Sequence, residues 1–136
     1  MPPQANPTGT NAGGKAPAAA FRRLDVLRKR ADFLRASRAA RYATQGFVLQ
    51  MRIRDPGEAE GIRVGFTCSK KVGNAVARNR AKRRLREVAR LTLRHLGRDD
   101  CDYVLIGRRD KTAGLPFDTL TSDLARAVSK LHENDT

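Results

Sequence analysis

Arginine dominates the chemistry available to this chain. Over residues 75–98 nine Lys and Arg stand against one acid, Glu87, and at helical spacing Asn79, Arg83, Arg86, Arg90 and Arg94 fall on one stripe. Like charges at i,i+4 destabilise a helix by a few tenths of a kcal/mol per pair, so the stripe is not a folding requirement. A planar guanidinium suits phosphate oxygens, and roughly 30 Å of helix at 1.5 Å per residue can follow several phosphates. A merely solvated face would mix its signs, and this one does not. Just upstream, SKKVGN at 69–74 brings Lys70, Lys71 and backbone N–H groups to a helix N-terminus. That is an anion site in principle, or else a plain turn and cap made by Gly73 and Asn74, and the two readings stand level.

Hydrolytic chemistry would need a general base, a charge stabiliser and usually a carboxylate-held metal. The acids read as turn or terminal residues. His95 lies on the flank of the basic helix, His132 in the C-terminal tail, and Cys68 inside a strand, where it reads as a buried small residue. No catalytic and no metal-binding residue is therefore expected in the protein itself.

The elements that must position the arginines follow from periodicity. Lys29–Arg38 is rich in helix formers, with Phe33 and Leu34 as its apolar members. Residues 47–54 alternate, Phe47, Leu49, Met51 and Ile53 against Val48, Gln50, Arg52 and Arg54, and 63–68 alternate with Val64, Phe66 and Cys68 inward. The turn-rich DPGEAEG between them predicts a hairpin. A helix from Ala75 to about Leu96 is expected to bury Ala81, Leu85, Val88, Ala89, Thr92 and Leu96, with Asn74 as its cap and Gly97 as its stop. YVLIG at 103–107 reads as an interior strand, and Phe117, Leu120, Leu124, Val128 and Leu131 mark a closing amphipathic helix. Together these elements describe an α/β sandwich needing one layer of core.

Composition narrows the function classes. The 136 residues carry a net charge of +14, with no Trp and seven aromatics, enough for one modest aliphatic core and a polyanionic partner. No apolar run approaches the roughly 18 to 20 residues of a membrane span. Two isolated cysteines suggest a reducing, cytoplasmic setting. Residues 1–20 hold four of the six prolines and read as a disordered tail, leaving 21–136 as the domain. Charge is concentrated: residues 21–41 have eight basic and two acidic side chains, residues 69–98 eleven and one, and the remainder nine and eleven.

The run Lys70-Lys71-Val72-Gly73-Asn74-Ala75-Val76, with Arg78-Asn79-Arg80 and Lys82-Arg83-Arg84-Leu85-Arg86 after it, closely resembles the signature of the bacterial ribonuclease P protein component. The upstream RKRADF and the strand GFVLQ are similar to that family's first helix and sheet, so the resemblance spans roughly residues 21–131. It implies a single-domain αβββαβα fold of the α+β type, with a mixed four-stranded sheet and a left-handed βαβ crossover. It implies that Arg78, Asn79, Arg80, Lys82, Arg83 and Arg86 bind the catalytic RNA subunit, and the basic turn and stripe add Lys70, Lys71 and Arg90 to that expected surface. A cleft between first helix and sheet would hold the single-stranded 5′ leader of precursor tRNA through Phe33, Ser37, Val48, Gln50 and Arg52. Family members often carry aromatics where this chain has Ser37 and Gln50, so leader stacking is expected to be weaker. Mg²⁺ would be bound mainly by the RNA subunit, with no organic cofactor and no membrane partner. A ribosomal RNA-binding protein and, more remotely, a DNA regulator or a membrane-surface helix remain alternatives.

Overall fold

The structure, a computed structural model, describes residues 23–135; the tail expected over 1–20 lies outside the described residues. Its elements are β1 (Leu24–Val26), α1 (Arg30–Ser37), β2 (Ala40–Ala43), β3 (Phe47–Ile53), β4 (Ile62–Cys68), a 3₁₀ turn (Lys70–Val72), α2 (Ala75–Leu96), β5 (Cys101–Gly107), α3 (Lys111–Gly114) and α4 (Phe117–Asp135). The five strands form one mixed sheet in the order β1-β4-β5-β3-β2. β1, β4 and β5 run parallel, β3 is antiparallel to β5, and β2 to β3.

Two sequence expectations change here. β3 and β4 are not a hairpin, because β5 lies between them, pairing Gln50 with Val104 on one side and Gly65 with Val104 on the other. Alternation in β3 and β4 reports which faces are buried but not which strand is the neighbour. The continuous apolar run of β5, covered on both faces, takes the central place. The sheet also has five strands rather than four. β1 pairs Leu24 with Ile62 and Val26 with Val64 over three residues, too short to show a period, and the four residues of β2 were equally silent.

Both faces of the sheet are packed, so the expected single core layer is two. The main cluster joins Phe47, Leu49, Met51, Val64, Tyr103 and Leu105 to Leu85, Val88 and Leu93 of α2 and Leu120, Leu124 and Val128 of α4. Opposite it, α1 closes a small cluster of Leu27, Ala36 and Val104, with Phe33 and Ile106 half-buried beside it. Truncating a wholly buried leucine such as Leu85 costs about 2–5 kcal/mol in a core of this kind. Phe66 and Cys68, expected inside, are only half-buried, because β1 ends opposite Val64 and leaves the edge of β4 open.

α2 starts where Asn74 Oδ1 accepts from Ala77 N at 2.9 Å, as its cap position requires. Its buried stripe ends on Leu93, not Leu96, which is 42 % exposed. Gly97 follows in ordinary extended backbone (φ −69°). A Cβ there would lie 2.7 Å from the Leu93 carbonyl and 3.1 Å from Ile62, so this glycine permits close approach rather than a left-handed turn.

Acids are not confined to turns and termini. Asp102 is wholly buried on β5, facing α1, where its Oδ1 accepts from Arg54 Nη1 at 2.6 Å and its two oxygens accept from Arg63 Nε and Nη2 at 2.8 Å each. Arg63 also reaches Asp32 of α1 at 3.6 Å, and Asp32 accepts from Arg35 at 2.8 Å. Arg54 is buried too, and satisfies its remaining donors on the carbonyls of Ala59, Gly61, Asp99 and Cys101. Those bonds staple the β3–β4 connection to the start of β5.

Candidate nucleic-acid interface

Folding sorts the basic side chains into two populations. Arg52, Arg54, Arg63, Arg35 and Arg126 are held by carboxylates. By contrast, Lys70, Lys71, Arg78, Arg80, Lys82, Arg83 and Arg86 have no carboxylate within ion-pair distance among the described residues, and all but Arg78 and Lys82 are exposed. Arg90 is exposed and paired with Glu87, its Nε 3.2 Å from Oε1. That pair holds Glu87 below the usual carboxylate range, chiefly through the hydrogen bond from Arg90. Arg84 points the other way: it donates to the carbonyls of Thr112, Ala113 and Leu115 and lies 5.9 Å from the Phe117 ring centroid, tying α2 to α3. A sequence run of Lys-Arg-Arg cannot show which member is spent on the fold.

At the N-terminal end of α2, Arg78, Asn79 and Lys82 surround a cavity of about 250 Å³ with Cys68 and Ala75. Arg78 Nε is enclosed and has no hydrogen-bond partner. Burial pushes the Cys68 thiol up, against the backbone hydrogen bond at Gly107 and the pull of nearby Lys82 and Arg78, which disfavours the thiolate form. In the preceding loop Ser69 Oγ accepts from Lys71 N at 3.2 Å, and Gly73 has φ +142°, where a Cβ would also meet Ala77 at 2.9 Å. Gly73 and Asn74 are thus accounted for as turn and cap, while Lys70 and Lys71 project from the turn beside them.

On the opposite face of the sheet, α1 and the strands enclose a groove of about 440 Å³. It brings together Phe33, Ser37 and Gln50, and adds Arg28, Arg30, Phe66, Thr67, Val104 and Ile106. The Phe33 ring lies directly on Gly65: a Cβ there would sit 2.6 Å from both Cε1 and Cζ. Phe33 is therefore packed on the sheet and exposed to the groove at once. Val48 and Arg52, expected here, are not in its lining. Arg52 is drawn instead to Glu58, at 3.2 and 2.8 Å, and that hydrogen bond raises the guanidinium's already high pKa. Arg28 and Arg30 were visible only as members of a basic run, and Phe66 gave no signal because its alternation marked it as core.

Of the other titratable groups, His132 and Tyr103 are engaged with each other. His132 belongs to α4 rather than to a tail, its Nε2 2.9 Å from Tyr103 Oη, which accepts from Arg98 N at 2.9 Å. Among the described residues no group of three or more His, Cys, Asp or Glu is placed to hold a metal ion, and no helix is long and apolar enough to cross a membrane.

A basic helix face on one side of a mixed sheet and an aromatic groove on the other form a specific arrangement, and it has relatives. The ribonuclease P family model matches residues 21–132. The chain belongs to the ribonuclease P protein family. It is 67 % identical over 109 residues to the ribonuclease P protein component of Ruegeria pomeroyi, covering 80 % of this chain and 87 % of that one. With the corresponding protein of Gluconacetobacter diazotrophicus it shares 49 % over 109 residues, or 79 % and 91 % of the two chains. Among solved structures it is similar to the ribonuclease P proteins of Staphylococcus aureus and Thermotoga maritima, each with a TM-score of 0.61 and 27 % identity. The first match covers 78 % of this chain and 94 % of that one, the second 75 % and 96 %. Membership makes the protein a subunit of an endoribonuclease, ribonuclease P, and assigns it to tRNA processing.

Proposed function

We propose that the protein binds two RNAs: the catalytic RNA subunit through the exposed face of α2 and the Lys70–Lys71 turn, and the single-stranded 5′ leader of precursor tRNA in the Phe33 groove. The observation that carries this is the partition of charge. Asp32, Glu58, Asp102 and Asp123 are engaged by arginines elsewhere in the fold, whereas the α2 face and its turn keep seven basic side chains without a carboxylate partner among the described residues. Such a surface gains most from phosphates, whose condensed counterions it releases. The enclosed Nε of Arg78 is a donor that still lacks an acceptor at this same end.

The groove suits a leader of any sequence. Stacking a base on an aromatic ring contributes roughly 1–3 kcal/mol with little base preference, and Phe33 supplies the ring. Arg28 and Arg30 stand at the groove for the backbone. In this reading Mg²⁺, bound mainly by the RNA subunit, supplies the hydrolytic chemistry; the carboxylates Asp32 on α1, Glu58 and Asp102 are already held by arginine. The protein lowers the repulsion between two polyanions and is not itself the nuclease. Two free thiols fit a reducing cytoplasm.

Reconstitution tests the proposal. Protein and RNA subunit together are expected to release the leader from precursor tRNA, and protein alone to cleave nothing. RNA-free cleavage that responds to a point substitution in this protein would overturn it.

A further inference from the structure

The Phe33 groove does not end at α1. One of its walls is Phe66, and the same ring lines a second groove of about 380 Å³ around the sheet edge, between β1 and α2. The two grooves meet there because β1 pairs with β4 only as far as Val64, so the next residues of β4 form an open edge. The floor of the second groove is apolar, made by Leu24, Val26 and Val64. Its rim carries Arg86, Arg90 and Arg94 from α2, with Arg23 across from them. The Arg86 guanidinium lies over Phe66, 5.7 Å from the ring centroid.

An apolar floor with an aromatic at one end and guanidinium groups along the rim is the combination that holds single-stranded nucleic acid: bases on the floor, phosphates at the rim. A duplex would bring phosphates to the rim but hide its bases from the floor. We infer that the β1–α2 groove is a second single-strand RNA site, filled by the part of the precursor tRNA leader that continues from the Phe33 groove around the open edge of β4. Phe66 is the stacking platform the two grooves share. The inference rests on the reading of the Phe33 groove as the leader site, and it gives Phe66 the aromatic role that Ser37 and Gln50 do not supply.

The test measures precursor tRNA affinity of the reconstituted holoenzyme over a series of leaders lengthened one nucleotide at a time. Affinity is expected to rise in two steps as first one groove and then the other is filled. Phe33→Ala removes the first step. Val26→Glu, at a side chain 48 % exposed and absent from the Phe33 groove, removes only the second. Phe66→Leu, which keeps the apolar volume, lowers both, with long leaders losing about 5- to 100-fold. If Val26→Glu binds every leader as the wild type does while Phe33→Ala still shows its loss, the second site falls and the leader reading survives. If Phe33→Ala shows no leader dependence either, both fall. Equal losses by Val26→Glu for precursor and mature tRNA would assign the groove to another RNA and overturn the inference.

Discussion

Asp102 and Phe33 do different work, one inside an ion-pair cluster and the other in the groove under α1. Asp102 is a buried charge compensated by Arg54 and Arg63, and removing one member of such a cluster leaves the others uncompensated. Asp102→Ala is expected to destabilise the fold by about 3–5 kcal/mol, read as a lower urea midpoint. Arg63 also reaches Asp32 on α1, so the same cluster ties β4 and β5 to the helix that carries Phe33. Phe33 itself is tested by binding. Phe33→Ala is expected to weaken precursor tRNA by about 5- to 100-fold while leaving mature tRNA close to unchanged, and equal losses would contradict its leader role. Gly65 completes this geometry, since the ring rests where its side chain would be.

For α2 the relevant quantity is the number of phosphates neutralised. Its inward stripe, Ala81, Leu85, Val88, Ala89, Thr92 and Leu93, fixes its rotation on the sheet, and that rotation determines which arginines face solvent. Replacing Arg80, Lys82 and Arg83, which lie outside the β1–α2 groove, by Ala is expected to weaken binding to the RNA subunit. It should also reduce the slope of log K against log salt by roughly 2 to 3, at about 0.7–0.9 for each phosphate no longer neutralised. Titration at several salt concentrations measures this, and an unaltered slope would remove the face from the interface. Arg84→Ala is the contrast: with its three carbonyl partners and Phe117, it should cost stability and leave the salt slope intact.

Across the whole molecule charge is polarised. A recess of about 990 Å³ lined by Asp25, Asp55, Glu60, Asp99 and Asp100 together with Arg23, Arg54 and Arg98 mixes both signs, unlike the exposed arginine face of α2. The core also makes the fold sensitive to alkali. Burial pushes the Cys101 thiol from 9.0 up to about 12 and raises the Tyr103 hydroxyl as well. Above pH 9 the unfolded chain releases the Cys101 proton, and above pH 10 the Tyr103 proton, while the folded chain keeps them, so stability is full below pH 9 and declines through the window from 9 to 12. The urea midpoint is expected to hold from about pH 7 to 8 and then fall, and Cys101→Ala should flatten the first part of that fall.

Sequence alone determined the long helix and its Asn74 cap, the interior strand at 103–107, the closing helix and the sign and location of the charge. These are properties of local periodicity and composition, and Leu85, Leu124 or Arg86 carry them whatever surrounds them. Neighbourhood was decided only in three dimensions. That β5 separates β3 from β4, that three residues of β1 pair with β4, that Asp102 draws in Arg54 and Arg63 while Glu58 takes Arg52, and that Phe66 stands at an open edge all depend on distant segments meeting. A strand's alternation names the face it buries, and a charged residue's type names the partner it can accept. Which partner arrives depends on long-range packing, for which a single chain's local pattern holds no record.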